Sequence, residues 1–125
     1  MQAKNVCEEV GYEKVDLAYS KEYLLKNNVG KIDSFSLWTI SFGDVGIATL
    51  PGELHDSLGV SLREESPFAV TLFSGYTNGT NGYFASAAAF ENGGYEVSSS
   101  RHEKGASEEM VAKLVSMLRA QFEAK

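Results

Sequence analysis

The sequence predicts an α/β domain with a mixed sheet packed against helices, and three patterns support this prediction. Residues 35–42 and 45–50 form two β-patterned runs that are joined by a short turn. Residues 68–76 form a further apolar run, and residues 107–123 place apolar side chains at helical intervals. A chain of this length can bury about two thirds of its unfolded surface, so we expect a single domain over 1–125.

A central hairpin is predicted over about 34–50. The run FSLWTISF (35–42) alternates with period two, and its aromatic and β-branched residues favour a strand. Gly43-Asp44 is a two-residue turn of the kind that joins hairpin strands. The run VGIATL (45–50) carries no charge, which predicts a second strand that is buried on both faces.

Packed helices are predicted over about 16–28, 53–64 and 107–123. Asn28 closes the first, as asparagine and glycine do at helix ends. Leucines recur at every fourth residue of the second, which gives it one apolar stripe. The third is the clearest, with Ser107 as its expected N-cap and two glutamates in its first turn.

The rest of the chain carries weaker patterns. FAVTLFSGY, which follows the break at Pro67, predicts a further strand over about 68–76. Residues 84–92 fit either a short helix or an irregular piece, and residues 95–100 fit a short extended stretch. Residues 1–15 mix charged and apolar positions without a clear period, so no element is assigned to them.

Composition excludes several classes of function. The net charge is −6 and the basic residues are scattered, so no basic patch is expected and a nucleic-acid partner is excluded. No window approaches the ~18 consecutive apolar residues of a membrane span. The opening MQAKNVCEEV carries no secretory signal, which predicts a cytoplasmic protein. Cys7 is the single cysteine, and with two histidines it makes a self-contained zinc site of the His/Cys kind hard to build.

Two polar clusters follow apolar strands and are the candidate sites. Glu53 comes directly after the uncharged strand, at the kind of strand end where α/β sheets gather ligands. The alternative places Glu53 in the first turn of a helix, where its charge improves the dipole interaction. The glycine- and asparagine-rich loop 75–83 can present its tyrosines at a sheet edge. Its alternative is an ordinary surface loop, and it lacks the spacing of a phosphate-binding loop.

The two histidines lack the spacing of three or four residues that places a metal-binding pair on one helix face. His102 lies in the polar stretch RHEK, which predicts a solvent-exposed side chain. His55 follows Glu53 by two residues. The favoured interpretation leaves His55 outside the candidate site, and the alternative places it in the same cleft as Glu53.

Three segments resemble motifs of the neutral/alkaline non-lysosomal ceramidase family. FGDVGIATLPGELHDSLG (42–59) is similar to the family's strand, turn and helix around a Pro-Gly-Glu. TLFSGYTNGTNGYFAS (71–86) resembles its second motif, and AFENGGYEV (89–97) resembles its third, which ends in Tyr-Glu. The motifs occur in family order, Tyr83 and Tyr95 are twelve residues apart as in the family, and the resemblance covers about residues 42–123.

The resemblance implies a role for three residues. Glu53 matches the family's zinc-ligating glutamate, and Tyr83 matches its zinc-ligating tyrosine. Tyr95 matches a tyrosine that hydrogen-bonds the developing oxyanion, where a hydroxyl stabilises the tetrahedral intermediate. In such a site the zinc lowers the pKa of a bound water, which attacks an amide carbonyl.

The family's two zinc-binding histidines lie in an N-terminal portion that this sequence does not match. The resemblance therefore implies the C-terminal third of a catalytic domain. We expect a fragment or subunit of a zinc-dependent amidohydrolase that is inactive alone and binds zinc only with the histidine-bearing part. Its expected partner is an N-terminal chain or a second copy, and its substrate by resemblance is a lipid-like amide. The alternative is a metal-free binding or assembly module that forms homo-oligomers.

Overall fold

The computed structural model describes residues 9–27, 29–77, 79, 82–94 and 100–124. Six strands and four helices lie within these residues. The strands are β1 (Glu9–Ala18), β2 (Ile32–Phe42), β3 (Val45–Thr49), β4 (Glu53–Leu54), β5 (Val70–Ser74) and β6 (Tyr83–Phe84). The helices are α1 (Lys21–Lys26), α2 (Asp56–Glu65), α3 (Ala87–Asn92) and α4 (Ala106–Glu123).

The strands form a main sheet and a small one. The main sheet has the order β1-β2-β3-β5, in which β1, β2 and β3 are antiparallel neighbours while β3 and β5 are parallel. The small sheet pairs β4 with β6 in parallel. The predicted α/β class with a mixed sheet is therefore confirmed, since antiparallel and parallel pairs share one sheet and helices pack against it.

The predicted hairpin is formed by β2 and β3. Phe42 pairs with Val45 across the two-residue turn, and Gly43 has a φ of 56°, a left-handed conformation that glycine adopts without strain. β3 lies between β2 and β5, which explains why it carries no charge. The prediction that this strand is buried on both faces is correct for the helix-covered side, where Ala48 is fully buried, and wrong for most of the other side, where Val45 and Ile47 are only half-buried.

The N-terminal region differs from the prediction. The helix predicted over 16–28 is wrong in its first part, because Glu9–Ala18 forms β1 and only Lys21–Lys26 is helical. Val15 and Leu17 are buried on one side of β1, and every residue of the strand pairs with β2. Tertiary pairing thus overrides a local pattern that fits a helix. The shorter helix begins after Ser20, whose hydroxyl accepts the amide of Tyr23 at 3.1 Å.

The second helix begins later than predicted. It spans Asp56–Glu65, and residues 53 and 54 form β4 instead. The amides of Glu53 and His55 donate to backbone carbonyls beside and within β6, at 2.9 and 3.0 Å, so they are unavailable to a helical turn. The alternative that placed Glu53 in the first turn of a helix is therefore wrong.

The remaining elements follow the prediction closely. The further strand is β5, residues 84–92 contain the short helix α3, and α4 begins one residue before the predicted start. Ser107 is not the N-cap, because Gly105 occupies that position and Ser107 is buried in the first turn. The core lies between the main sheet and helices α2 and α4, and its most completely buried large side chains are Leu17, Leu37, Leu50, Leu62, Phe84, Met110, Leu114 and Leu118.

Some predictions lie outside the described residues. They are the environment of Cys7, the position of Tyr95 and most of the extended stretch 95–100. Within the part of the chain that the structure describes, no helix combines the length and apolar character needed to cross a membrane.

Candidate functional site

The small sheet is held beside the ends of β3 and β5 by close backbone contacts. After β3 the chain bends through Pro51 and Gly52, which are both buried. A Cβ atom on Gly52 would lie 2.3 Å from the carbonyl oxygen of Gly82, so only glycine permits this approach. The Gly52 carbonyl accepts the amide of Tyr76 at 3.0 Å. The bend after β3 and the loop 75–83, which are distant in sequence, therefore meet at one point.

Glu53 and Tyr83 are direct partners in the small sheet. The register pairs Glu53 with Tyr83 and Leu54 with Phe84. Because side chains alternate along a strand, the first pair shares one face and the second pair shares the other. Leu54 and Phe84 are buried, whereas Glu53 is exposed and Tyr83 is half-buried. The small sheet thus directs its carboxylate and its tyrosine to the same outward face.

This face opens into a cleft of about 170 Å³ that is lined by residues 53–56 and 83–85. A larger and shallower groove of about 440 Å³ lies between α2 and α4, near Glu65 and Arg119. The larger groove is away from the strand ends where α/β folds place their ligands, so the smaller cleft is the candidate site.

Tyr76 contacts the candidate carboxylate. Its hydroxyl donates to Oε2 of Glu53 at 3.3 Å. Tyr76 also has a φ of 51°, a conformation that non-glycine residues rarely adopt and that is concentrated at functional sites. The sequence identified the loop that carries Tyr76 but assigned no role to this residue. Its proximity to Glu53 depends on the backbone contact with Gly52, which no sequence pattern reveals.

His55 lines the same cleft as Glu53, so the alternative interpretation of this residue is correct. It lies between β4 and α2 and occupies the N-cap position of the helix. Its Nδ1 atom lies 3.2 Å from the hydroxyl of Ser86, which also accepts the amide of Ala89 at the start of α3. The ring therefore links the cleft to the loop after β6.

His102 is buried, and the prediction of a solvent-exposed side chain is wrong. Only 1% of it is exposed, and Nε2 lies 2.7 Å from Oδ2 of Asp33. Its ring stacks on Phe84 and on Tyr19, at centroid distances of 5.0 and 5.6 Å. His102 forms a β-bridge with Tyr19, so the chain is extended at this point and successive side chains point to opposite sides. His102 can therefore point into the core although its neighbours in the sequence are charged.

Burial lowers the pKa of His102, although the hydrogen bond and the charge of Asp33 act in the opposite direction. Among the described residues, Nδ1 of this ring has no hydrogen-bond partner. A neutral ring that donates from Nε2 satisfies Asp33, whereas a proton on Nδ1 would be buried without an acceptor. His102 therefore belongs to the core and not to the cleft.

The donor set of the cleft fits one side of a zinc site. Carboxylate oxygens are ordinary zinc ligands, and the phenolic oxygen of Tyr83 lies on the same face as Glu53. A structural or catalytic zinc site also needs nitrogen or sulfur ligands in most cases. The described residues contain no group of three or more His, Cys, Asp and Glu side chains that could hold a metal. Two residues with oxygen donors are thus register partners that line one cleft, and Tyr95 lies outside the described residues.

The fold is similar to part of two solved ceramidase structures. The structure titled "Ceramidase complexed with C2" matches with a TM-score of 0.67 and 18% identity, over 73% of this chain and 15% of that chain. Neutral ceramidase from Pseudomonas aeruginosa matches with a TM-score of 0.66 and 19% identity, over 73% of this chain and 16% of that chain.

Searches for a matching family model and for a similar curated protein found none. At 18% and 19% identity the likeness is one of fold. The chain spans about 15% of the length of the first of these structures, so only a part of that architecture is represented. The chain thus adopts a ceramidase-like fold.

Proposed function

We propose that this chain forms the carboxylate and tyrosine side of a zinc site in an amidohydrolase that resembles neutral ceramidase. The observation that supports the proposal best is the register of the small sheet, which makes Glu53 and Tyr83 direct neighbours on one outward face. The ceramidase-like fold supports it independently. The nitrogen ligands come from a histidine-bearing part that the described residues do not include.

Glu53 and Tyr83 would hold the metal together with imidazoles from the histidine-bearing part. When bound, the zinc supplies a water of lowered pKa that attacks the amide carbonyl. Glu53 is exposed, so its carboxylate is accessible to a metal ion that enters the cleft. The hydroxyl of Tyr76 holds Oε2 of Glu53 and orients the carboxylate, as outer-shell hydrogen bonds do for metal ligands.

The resemblance assigns Tyr95 to the developing oxyanion, where its hydroxyl stabilises the tetrahedral intermediate. The substrate class, a lipid-like amide, rests on analogy with the ceramidase fold. The cleft of about 170 Å³ is smaller than the range of about 300–1,000 Å³ that is usual for ligand pockets. The histidine-bearing part therefore completes the walls of the pocket as well as the metal site, and the chain alone is inactive.

Metal binding by the chain alone tests the donor pair. Co²⁺, a paramagnetic substitute for Zn²⁺, is titrated to millimolar concentration against the ¹⁵N-labelled chain. We expect the amide signals of Glu53 and Tyr83 to broaden first, and this selective broadening to disappear in Glu53→Gln. Glu64→Gln, which removes an exposed carboxylate of α2, is the matched control and keeps the broadening. Equal broadening in both variants contradicts the proposed donor pair.

Reconstitution tests the function itself. The chain is mixed with the histidine-bearing N-terminal part of a ceramidase-like catalytic domain, and hydrolysis of an N-acylated sphingoid base is measured with and without zinc. We expect zinc-dependent amide hydrolysis that Glu53→Gln abolishes and Glu64→Gln retains. A stoichiometric complex that binds no metal would rule out the enzyme.

A second candidate is a metal-free assembly module that retains the fold without catalysis. The observation that favours it is a broad apolar surface on the main sheet, where Val10, Tyr12 and Leu72 are each about half exposed. This candidate predicts self-association without any selective effect of Co²⁺ at Glu53.

A further inference from the structure

The two faces of the main sheet have very different surroundings. The register aligns one set of side chains across all four strands on the face away from the core. We call this set the outer face: Val10 and Tyr12 of β1, Trp38, Ile40 and Phe42 of β2, Val45 and Ile47 of β3, and Val70 and Leu72 of β5. The opposite face packs against α2 and α4 and forms the core.

The outer face is apolar and open to solvent. Val10 is 58% exposed, Leu72 50%, Tyr12 49%, Val70 48% and Phe42 38%. Its nine members include no charged residue. Four strands about 4.8 Å apart and a few residues long give a surface of roughly 15 by 20 Å. The exposed apolar area is on the order of 500 Å², at the upper end of what monomeric proteins expose.

We propose that a second copy of this chain covers the outer face, so that two main sheets stack face to face. A flat sheet face is matched in shape by another sheet, and two such sheets pack about 10 Å apart. A two-fold arrangement uses the same surface on both copies. The dimer buries the outer face and its rim on both copies. The total buried area is about 1,200 Å² or more, which reaches the range of specific protein interfaces.

The charge distribution permits this stacking. The chain carries a net charge of −6, but none of that charge lies on the outer face. Lys14 and Asp16 continue the same side of β1 beyond the apolar residues, and Ser34 and Ser36 are their partners on β2. This end of the surface is a polar rim with both signs of charge, so two copies do not place a block of like charges together.

Tyr12 and Trp38 form the centre of the proposed contact on the β1 side. Their rings are 4.6 Å apart between centroids and inclined by 58°. Aromatic side chains of this kind contribute most of the binding energy in many interfaces. Trp38 is also the single tryptophan of the chain, so its emission reports directly on the outer face.

The proposed interface does not depend on the metal site. Glu53 and Tyr83 belong to the small sheet, whereas every member of the outer face belongs to the main sheet. Failure of the zinc proposal would therefore leave the dimer in place, and the converse also holds.

Sedimentation velocity of the full chain, from micromolar to near-millimolar concentration, tests the proposal. We expect a monomer–dimer equilibrium together with a blue shift of the Trp38 emission as the dimer forms. Leu72→Lys places a charge in the interface of both copies and should weaken association by roughly a hundredfold. Leu25→Lys is the matched control, because Leu25 is 87% exposed on α1 and the change in charge is the same.

Far-ultraviolet circular dichroism establishes that both variants are folded before they are compared. A wild-type chain that stays monomeric at every concentration overturns the proposal and leaves the outer face to a different partner, such as the histidine-bearing part. A dimer that Leu25→Lys dissociates and Leu72→Lys does not would place the interface on another surface.

Discussion

The two faces of the small sheet differ in what surrounds them. On the inward face, Phe84 is fully buried and stacks on His102, which is itself buried and paired with Asp33. On the outward face, one residue earlier in each strand, Tyr83 and the exposed Glu53 line an open cleft. Both faces carry polar and aromatic groups, but only the inward face encloses them.

The difference separates polar groups that belong to the core from polar groups that are available for chemistry. His102 is the residue type that a metal site needs, but it is buried and paired with Asp33. Glu53 is an ordinary carboxylate, but it faces a cleft beside a tyrosine. Residue type alone therefore does not identify the candidate site. The side of the strand on which a residue lies determines whether it belongs to the core or faces the cleft.

Phe84→Ala should have the largest effect, because it removes the ring that separates the two faces. Its side chain is fully buried against Phe35 and His102, so the loss leaves a cavity. We expect the free energy of unfolding to fall by about 3–5 kcal/mol, measured by urea denaturation. Tyr83→Phe is the control on the adjacent residue and should change it by less than about 1 kcal/mol.

If Phe84→Ala does not fold, Phe84→Leu gives a smaller cavity and should still destabilise more than Tyr83→Phe. Equal losses at the two positions would mean that the faces of the small sheet are not distinct environments.

The pH dependence of stability should report the enclosure of His102. Burial lowers its pKa in the folded chain, whereas the unfolded chain has the ordinary value of 6.5. Below pH 6.5 the unfolded chain takes up a proton at His102 that the folded chain excludes, and this uptake favours unfolding. The free energy of unfolding is therefore at its full value above pH 6.5 and decreases as the pH falls. The contribution has a slope of at most about 1.4 kcal/mol per pH unit.

Urea denaturation between pH 7.5 and 5.5 measures the slope, and His102→Gln should reduce it. ¹⁵N chemical shifts of the imidazole provide the direct check, because the pKa of the ring in the folded chain should lie below the ordinary value of 6.5. A pKa above 6.5 in the folded chain would show that Asp33, and not burial, controls the protonation of His102.

Glu53→Gln should have the smallest effect on stability. The carboxylate is exposed, and its hydrogen bond from Tyr76 is 3.3 Å long at the surface. We expect the free energy of unfolding to change by less than about 0.5 kcal/mol, close to the effect of Glu64→Gln. A loss above about 2 kcal/mol would give Glu53 a structural role and remove the contrast between the two faces.

The local sequence pattern was sufficient to predict those elements whose own residues carry a clear strand, turn or helix signal. The β2–β3 hairpin, β5 and α4 follow from period, turn residues and amphipathic spacing. β1 does not, because its residues 16–18 fit a helical pattern as well as a strand, and pairing with β2 decides between them. β4 is equally hidden in the sequence, since its two residues form a strand only because carbonyls beside and within β6 accept the amides of Glu53 and His55.

The sequence pointed to residues of the candidate cleft but not to their surroundings. Glu53 and the tyrosine-bearing loop were selected because each follows an apolar run. The hydroxyl of Tyr76 beside Glu53, and His55 in the cleft, depend on contacts between distant segments. His102 was misassigned because its charged neighbours in the sequence point to the other side of an extended segment.

The close approach at Gly52 has a consequence for how such chains can diverge. The position of the cleft is set by main-chain contacts among Gly52, Gly82 and Tyr76, and not by the side chains that line it. Substitutions at positions 53 and 83 can therefore change the groups that line the cleft while the architecture survives. In distant relatives, glycine at position 52 is expected to mark inheritance of the scaffold, whereas glutamate at 53 and tyrosine at 83 are expected to mark inheritance of the proposed donor pair. The two traits can be lost separately during evolution.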